Sequence, residues 1–301
     1  MSLGRAALIV NPFASAVAEE RLAEVERELR RSYELHVMLT EQRAHATELA
    51  RGVEAEMVFV YGGDGLLNEV LNGVEADVAV GVVPGGGTNV VARALGLPID
   101  AVAAAAALRE GRPRRISLGR VNGRRFAFAG GIGFDAELIR RVDALGRSGD
   151  GRRPGDLAFT WQAAKLLASR RGRYDPALEI EGLGRAAFAL VANADPYTYA
   201  AGRPLHVAPE ARFELGLDLV APKRVRPATI PKLLGYVIRG SGQETAGDIV
   251  YAHDLDRLHV RCDTPLPLQV DGEDLGDVVE ATFEAERGAA SLLEPPGTLR
   301  A

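Results

Sequence analysis

The first third of the sequence repeats one arrangement: a short apolar run, a turn of glycine or polar residues, and then a helical pattern. The apolar runs span residues 6–10, 57–61 and 78–83. Continuous runs of this length are typical of strands buried on both faces, as in parallel sheets. Because helical patterns separate them, the chain has a β-α-β-α order, which predicts a parallel sheet covered by helices on both sides.

Beyond about residue 112 strand patterns dominate, and only residues 135–145, 156–171 and 227–239 read as helices. We therefore predict an α/β fold class with two domains: an α/β domain over residues 1–112 and a β-rich domain over residues 113–285. Residues 286–301 form a C-terminal tail in this scheme, and its packing back on the first domain is left open. The last residues of that tail look loosely held.

Composition excludes several classes of protein. The formal net charge is -5, which gives no support for a nucleic-acid partner. The single cysteine, Cys262, excludes an internal disulfide framework, and its apolar surroundings favour a buried, inert thiol. No apolar run approaches the roughly 20 residues that a membrane-spanning helix needs. We expect a cytoplasmic protein whose contact with membranes, if it has any, is peripheral.

Three turns after the apolar runs carry the strongest chemical signal. They are residues 11–15, residues 62–65, which read Gly-Gly-Asp-Gly, and residues 84–89. Glycines let main-chain N–H groups approach an anion closely, and ligands bind at the carboxyl ends of parallel strands. The turns thus predict an anion-binding rim, although a lone turn with Asp64 as a helix N-cap would need no ligand. The Walker pattern is missing from all of them.

Motifs through nearly the whole chain resemble the diacylglycerol kinase catalytic-domain family, which includes bacterial lipid kinases and sphingosine kinases. Gly62-Gly63-Asp64-Gly65 with Asn68-Glu69 is similar to the family's GGDGTxNE signature. The other matching segments are Asn11-Pro12, Thr40 with His45, and residues 84–93, 131–136, 208–211 and 270–273. Because these segments occur in the family's order, chance is a poor explanation.

The resemblance implies a first domain like that of phosphofructokinases and NAD kinases, a sandwich-like second domain, and binding of ATP with Mg²⁺. The residues that would line the nucleotide are Asn11, Thr40, Gly63, Asp64, Gly65, Leu66, Leu67, Asn68, Glu69, Gly86, Gly87 and Thr88. Backbone amides of the glycine turns would hold the phosphates, since phosphoryl transfer depends mostly on positioning and charge neutralisation.

Four acids are candidates for catalysis or substrate binding. The resemblance implies that Glu273 is the base for the lipid hydroxyl, and Asp64 can face Mg²⁺ or a reacting hydroxyl. It also places Asp135 near the lipid head group. From spacing alone, a D-G hairpin explains Asp271 and Glu273 better, and a helix N-cap explains Asp135 equally well. The resemblance reverses the preference for Glu273 and leaves the substrate role of Asp271 open.

Three departures from the family pattern bear on activity. Leu66 replaces the Thr of the signature, as in sphingosine kinases, and Val90 replaces an Asp found in bacterial diacylglycerol kinases. Leu215 stands where the family has an Asp that holds a structural Mg²⁺. Glu214 or Asp218 are the nearest replacements in sequence, so the metal ligands stay unknown at this stage.

The predicted helix over 156–171 raises the question of membrane contact. Leu157, Trp161, Ala164 and Ala168 fall at helical spacing, and basic residues lie at both ends. A helix of this kind can lie on an anionic membrane, or it can pack its apolar stripe on the protein core.

The resemblance predicts an ATP-dependent lipid kinase that acts on a lipid at a membrane surface, and it suggests a homodimer. Two alternatives stay open: a soluble small-molecule kinase similar to NAD kinases, and a non-catalytic lipid or nucleotide binder. Val90 and Leu215 motivate the second alternative, whereas the retained Asp64 and Glu273 argue against it. The lipid itself cannot be named from the sequence.

Overall fold

The computed structural model describes residues 4–146 and 156–297 as parts of two compact units. The first unit contains the described residues up to Ile116 and those from Gly288 onward. The second unit runs from Ser117 to Arg287. Within the described ranges, no helix combines the length and apolar character that crossing a bilayer requires.

The first unit alternates strands and helices, as the sequence predicts. Its elements are β1 (Gly4–Val10), α1 (Glu19–Leu29), β2 (Tyr33–Leu39), α2 (His45–Arg51), β3 (Met57–Gly62), α3 (Asp64–Leu71), β4 (Ala79–Pro84), α4 (Val90–Ala94) and α5 (Ala101–Arg109). The strands form a parallel sheet in the order β2-β1-β3-β4. The predicted α/β fold class with a parallel-sheet core is thereby confirmed.

The register of this sheet aligns the carboxyl ends of its strands. Val10 of β1 lies opposite Leu39 of β2 and Tyr61 of β3, and Tyr61 lies opposite Val83 of β4. Each of these strands is almost wholly buried except β2, because helices cover the sheet. The turns that follow β1, β3 and β4 therefore emerge at one edge.

The second unit is rich in antiparallel strands. Of the elements that form it, the first strand begins in the first unit and the last strand ends there. The elements are β5 (Arg112–Val121), β6 (Arg124–Phe126), β7 (Ala129–Ile132), α6 (Phe134–Asp143), α7 (Asp156–Ser169), β8 (Leu178–Ile180), β9 (Gly184–Ala186), β10 (Ala189–Ala192), β11 (Thr198–Ala200), β12 (Arg203–Leu205), β13 (Leu217–Pro222), α8 (Ile230–Arg239), β14 (Ile249–Leu255), β15 (Arg257–Val270) and β16 (Glu273–Glu294). A short 3₁₀ turn, Pro227–Thr229, precedes α8.

Antiparallel pairing joins most strands of the second unit in the order β14-β13-β10-β7-β15-β16. Apolar side chains from these strands, among them Phe126 and Phe283, form one buried core in which the two rings meet edge to face. The long β15 and β16 are joined through Asp271 and Gly272, both with positive φ. This is the D-G hairpin that the spacing predicts, and it is confirmed.

Two chain segments differ from the expected elements. Residues 186–192 look like one strand in the sequence, but the strand breaks between β9 and β10 at Ala187 and Phe188. Both residues belong to a separate apolar cluster with Tyr174 and Val225, and the N–H of Ala187 still donates to the carbonyl of Pro222 in β13 at 2.8 Å. The second difference is the end of β16, where Ser291 and Leu292 pair in parallel with β4. The chain thus returns to the sheet of the first unit before it ends.

Candidate functional site

The turn after β1 is fixed by main-chain contacts at the edge of the parallel sheet. The N–H of Asn11 donates to the carbonyl of Tyr61 at 3.1 Å, and the Asn11 side-chain oxygen accepts the N–H of Phe13 at 2.9 Å. The N–H of Thr40, after β2, donates to the carbonyl of Val10 at 2.8 Å. Asn11 and Thr40 therefore lie at the same sheet edge, as expected from their motifs.

The two glycine turns pack directly on each other. The N–H of Gly85 donates to the carbonyl of Gly62 at 2.8 Å. A Cβ atom on Gly86 would lie 2.6 Å from the Cα of Gly63, and one on Gly85 would lie 2.9 Å from the Cα of Gly62. These glycines are required by backbone-to-backbone contact, whatever else binds there.

Gly87 differs from its neighbours because a Cβ atom there would meet nothing within 4 Å. Gly87 is exposed and Thr88 is half-buried. Within the part of the chain that the structure describes, their N–H groups donate no hydrogen bond. Two adjacent free N–H groups on a turn without side-chain cover suit an anion such as a phosphate.

Asp64 joins the two glycine turns through its side chain. Its carboxylate accepts the N–H of Val90 at 3.0 Å and that of Val91 at 3.2 Å, which caps the short helix α4. Burial raises the pKa of Asp64 above its ordinary value, and the donated N–H bonds oppose that shift. Val90, at the position of the family's Asp, turns its own side chain into the core.

The turn before α4 is closed by Asn89, which has a left-handed backbone with φ of 53°. Its side-chain oxygen accepts the N–H of Gly86 at 2.9 Å, and its amide nitrogen donates to the carbonyl of Gly86 at 2.8 Å. Asn tolerates this backbone conformation better than most residues. The side chain thereby holds the loop that carries Gly87 and Thr88.

Glu69 has a structural task that the sequence did not reveal. Its carboxylate accepts the N–H of Ala44 at 3.0 Å and that of Ala46 at 3.2 Å, at the start of α2. Its own carbonyl accepts the hydroxyl of Thr47 at 2.8 Å. Ala44 has φ of 64°, a backbone conformation that glycine adopts more readily than alanine.

The middle of the signature faces the interior. The side chains of Leu66, Leu67 and Asn68 are buried, with 7%, 1% and 1% of their surface exposed. If these residues line a nucleotide, they do so with main-chain atoms. Leu66 also packs against Gly62, where a Cβ atom would lie 2.6 Å from its Cδ2.

A buried polar network surrounds Asp135 in the second unit. The hydroxyl of Tyr197 donates to Asp135 at 2.6 Å, and the side-chain amide of Gln269 donates to the same oxygen at 2.8 Å. Burial raises the pKa of Asp135, and these donors oppose the shift. Burial and the charge of Asp135 together raise the pKa of Tyr197 well above its ordinary value.

The N-cap interpretation of Asp135 is corrected by the helix geometry. Gly133, with φ of 97°, is the N-cap of α6, and Asp135 lies within the first turn. Its carboxylate accepts the N–H of Ala136 at 2.9 Å. A Cβ atom on Gly131 would lie only 2.3 Å from the Oδ2 atom of Asp135. Gly131 is therefore needed to make room for the acid.

Asp271 is fully engaged with main-chain donors of its own unit. It is 5% exposed, and its carboxylate accepts the N–H groups of Ala127, Phe128 and Ala129 at 2.6, 3.0 and 3.1 Å. These bonds tie the β15–β16 hairpin to the link between β6 and β7. The contacts explain the residue structurally, and its role towards a substrate stays a prediction.

Glu273 is the most accessible of the predicted acids in this unit. It begins β16, its side chain is 36% exposed, and Arg124 donates to its Oε2 atom at 3.2 Å. Sequence reasoning missed the connection between this turn and Asp135. Gln269 makes that connection, because its Oε1 accepts the N–H of Gly272 at 2.9 Å. Only its place two residues before Asp271 could have suggested it.

The structure does not support Glu214 or Asp218 as replacement metal ligands. Within residues 4–146 and 156–297, no three His, Cys, Asp or Glu side chains converge so as to hold a metal ion. Asp218 is buried and accepts hydrogen bonds from His253 at 2.8 Å, Tyr251 at 3.2 Å and the N–H of Asp254 at 3.0 Å. Its oxygens already have partners within the protein.

Comparisons with known proteins agree with these motifs. The family described as diacylglycerol kinase catalytic domain matches residues 5–121. The chain is 30% identical to the diacylglycerol kinase of Bacillus subtilis strain 168 over 284 residues, which is 89% of each chain. It is 35% identical to that of Staphylococcus saprophyticus over 130 residues, 40% of this chain and 43% of the relative.

Solved structures show the same fold. A diacylglycerol kinase from Bacillus anthracis is similar with a TM-score of 0.74 at 19% identity, over 99% of this chain and 100% of the other. An NAD kinase from Archaeoglobus fulgidus in complex with ATP is similar with a TM-score of 0.52 at 13% identity, over 97% and 94%. At these identities the likeness concerns the fold alone.

Proposed function

The chain belongs to the diacylglycerol kinase family of lipid kinases, and on that premise we propose that it transfers the γ-phosphate of ATP to the hydroxyl of a diacylglycerol-type lipid. The observation that supports this proposal most strongly lies at the carboxyl edge of the parallel sheet. There, two glycine turns pack on each other and leave the N–H groups of Gly87 and Thr88 without a partner among the described residues.

The glycine turns offer main-chain N–H donors to the phosphates of a nucleoside triphosphate. Free N–H groups bind phosphate oxygens, and the exposed Gly87 lets a phosphate approach the main chain. Asp64 keeps the two turns in register through its bonds to Val90 and Val91. In this proposal Asp64 acts first as a positioning residue, because both of its carboxylate oxygens accept main-chain donors.

Mg²⁺ enters the proposal with the nucleotide. Mg²⁺ is usually bound by one or two carboxylates together with substrate phosphates, so a dedicated cluster of acids is not required. Asp64 is the carboxylate that lies between the glycine turns; its oxygens accept N–H groups of α4, and a remaining lone pair would have to bind the ion. The ion would neutralise charge that develops on the transferred phosphoryl group.

The reaction replaces one P–O bond by another. The lipid hydroxyl oxygen bonds to the γ-phosphorus, the bond from the γ-phosphorus to the bridging oxygen breaks, and ADP leaves. The hydroxyl proton goes to Glu273, whose accessible carboxylate is anchored by Arg124. In a loose transition state the proton departs late, so a weak base in the right place is sufficient.

The acceptor lipid would be oriented by the second unit. Asp135, Tyr197 and Gln269 form a closed network, and Gln269 also holds the turn before Glu273 through Gly272. We assign this network the task of positioning Glu273 and the lipid head group. The enzyme would work at a membrane surface as a peripheral, cytoplasmic protein, and a homodimer stays a prediction.

A panel of acceptors tests the proposal. Purified full-length protein is incubated with γ-labelled ATP, Mg²⁺ and detergent micelles that carry diacylglycerol, monoacylglycerol, ceramide, a sphingoid base, a prenol or phosphatidylglycerol. NAD serves as the soluble acceptor. We expect label in the product of diacylglycerol. Label on NAD alone, or ATP binding without transfer to any acceptor, would refute the lipid kinase assignment.

A further inference from the structure

Helix α6 is tied to the residues on both sides of Glu273. The N–H of the residue before it donates to Gln269, and Gln269 donates in turn to Asp135 in the first turn of α6. The residue after it, Asp274, accepts two hydrogen bonds from Arg140, which lies in the last turn of the same helix. The candidate base therefore stands between two points that one helix holds.

The contact between Arg140 and Asp274 is a two-bond fork. The Nε and Nη2 atoms donate to different oxygens of the carboxylate, at 2.7 and 2.9 Å. The third nitrogen, Nη1, donates to Oδ1 of Asp277 at 2.6 Å. Paired bonds of this kind fix the orientation of the two groups as well as their distance. The guanidinium also holds the pKa of Asp274 below its ordinary value, so the carboxylate stays charged at neutral pH.

The two acids that bind the guanidinium flank an irregularity in β16. Asp274 pairs with Gln269, and Asp277 pairs with Pro267, so three steps along β16 match two steps along β15. A bulge of this kind bends the strand that carries it and changes the direction of nearby side chains. Gly276 lies inside it with φ of 89° and donates its N–H to Asp274 at 3.0 Å. The guanidinium thus spans both ends of the bulge that begins one residue after the candidate base.

Apolar packing does little to fix this part of the hairpin. None of residues 272–279 is buried. Gly272 and Gly276 both have positive φ, and glycines give the main chain more conformational freedom than other residues do. Because partly exposed ion pairs contribute little to overall stability, the bonds of Arg140 matter chiefly for the geometry that they impose.

We propose that Arg140 is a positioning residue for phosphoryl transfer, which fixes the bulged start of β16 on α6 so that the Glu273 carboxylate meets the lipid hydroxyl. The inference rests on the proposed lipid kinase function and adds a residue that acts through Glu273. A displacement of about 1 Å in a reacting group can lower the rate roughly 10²-fold. Loss of the fork would allow displacements of this size, because the bulge would then lose its bonds to α6.

Steady-state kinetics on micellar diacylglycerol test the role of Arg140. In the full-length protein, Arg140→Gln should lower kcat by roughly ten- to hundredfold and leave the KM for ATP close to that of the wild type. The KM should hold because Arg140 belongs to the second unit, whereas the glycine turns that would bind the phosphates belong to the first. Arg140→Lys keeps the charge but not the fork, so its kcat should lie between those of the wild type and Arg140→Gln.

Arg141→Gln is the matched control, because it removes the neighbouring arginine of α6. Arg141 pairs with Glu137 of the same helix at 2.7 Å. We expect the kcat of the control to match that of the wild type, and urea denaturation of both variants to give midpoints close to the wild-type value. Equal kcat values in the two variants would overturn the proposal. If Arg140→Gln does not fold, the comparison is made with Arg140→Lys, and a wild-type kcat in that variant would overturn it equally.

A double-mutant cycle shows whether Arg140 acts through Glu273. Glu273→Gln removes the base, so adding Arg140→Gln to it should lower the remaining kcat by about twofold or less. If the second substitution lowers kcat as much in this background as in the wild type, Arg140 acts by another route and the inference is wrong.

Hydrogen exchange measured by mass spectrometry reports on the hairpin without any substrate. The main-chain N–H groups of residues 272–279 should exchange faster in Arg140→Gln than in the wild type or in Arg141→Gln. Unchanged exchange would mean that Arg140 does not hold the bulge, and the inference would be refuted. A wild type that phosphorylates no lipid refutes the proposed function, and the catalytic role of Arg140 falls with it. An active wild type with full activity in Arg140→Gln refutes only the role of Arg140.

Discussion

Glu273 and Asp271 stand two positions apart and have different tasks in the structure. Asp271 is buried and accepts three main-chain N–H groups, whereas the side chain of Glu273 is 36% exposed and contacts Arg124. A buried carboxylate whose oxygens accept three main-chain hydrogen bonds is poorly placed to contact the hydroxyl of a substrate. The contrast supports Glu273 as the candidate base among the two.

We expect Glu273→Gln to lower turnover by roughly 10²–10⁴ while the protein stays folded. The amide keeps the size of the side chain and can still accept a hydrogen bond from Arg124, but it cannot take the hydroxyl proton. Steady-state assays on micellar diacylglycerol, with circular dichroism as the folding control, check this. Activity close to that of the wild type would remove Glu273 from the mechanism.

Gly87 and Gly86 give a matched pair that separates binding from folding. A Cβ atom on Gly87 meets nothing, so Gly87→Ala should fold normally and raise the KM for ATP by roughly tenfold, because the methyl group occupies the phosphate side. Gly86→Ala should instead destabilise the protein, since its Cβ would collide with Gly63. Urea denaturation and ATP titration measure both effects. An unchanged KM in Gly87→Ala would place the phosphates elsewhere.

Cys262 should be an unreactive thiol in the native protein. Burial, with a smaller contribution from Asp263, raises its pKa to about 11, so at pH 8 the thiolate is scarce. Because the thiolate is the reacting form, labelling by iodoacetamide at pH 8 should be roughly 10²-fold slower than in urea. The native rate should rise with pH up to about 11. Cys262 is half-buried in the structure and not fully buried as the sequence predicts, and equal rates in the folded and unfolded protein would contradict even that partial burial.

At the scale of elements, two short helices of the first unit are capped at their N-termini by acids that lie elsewhere in the unit. The Asp64 carboxylate accepts an N–H from the first turn of α4, and the Glu69 carboxylate accepts N–H groups at the start of α2. Both acids belong to α3. Neither helix has a side-chain cap of its own. The family signature thus contributes to the fold as well as to the predicted nucleotide site.

We expect Glu69→Ala to reduce the free energy of unfolding by about 1 kcal/mol, because the N–H groups of Ala44 and Ala46 lose their acceptor. The control is Glu48→Ala, an exposed acid in α2. Urea denaturation of the two variants and the wild type gives the comparison. If both variants lose the same stability, the cap contributes nothing specific.

Strands that are buried on both faces were predictable, because each of them appears in the sequence as a continuous apolar run. β1, β3 and β4 lie close to the predicted runs, and the second-unit helices lie close to the predicted patterns. The caps of α2 and α4 were not predictable, because the acids that make them are distant in sequence from the helices. The break at Ala187 and Phe188 was missed for a similar reason: tertiary packing overrides a strand-like pattern.

The candidate site shows the same limit. The family motifs identified Asp135, Asp271 and Glu273, but the bonds of Gln269 to Asp135 and Gly272 depend on strand register, which no local pattern encodes. Likewise, the mutual packing of Gly63 and Gly86 appears only once β3 and β4 are paired. Spacing reveals which residues matter and does not reveal what each one touches.

For the whole molecule, we expect ATP with Mg²⁺ to raise the apparent Tm in a concentration-dependent way. A ligand at one hundred times its Kd adds about 2.7 kcal/mol to the stability of the state that binds it. AMP is the control, because it lacks the β- and γ-phosphates that the glycine turns would hold. Thermal unfolding followed by circular dichroism measures the shift. A Tm that responds equally to AMP and ATP would mean that the turns do not bind the polyphosphate.

The return of β16 to the first unit bears on how the protein is made. Ser291 and Leu292, which pair with Ala79 and Val80 of β4, follow them by 212 residues (291 − 79 and 292 − 80) and so leave the ribosome much later. Until they emerge, the β4 side of a parallel sheet translated much earlier presents an unpaired edge, which is the kind of surface that other chains can join. Pairing at the β4 edge of the first unit therefore waits for residues that are translated much later, and a message cut short before Gly288 would release a chain whose β4 edge is unpaired.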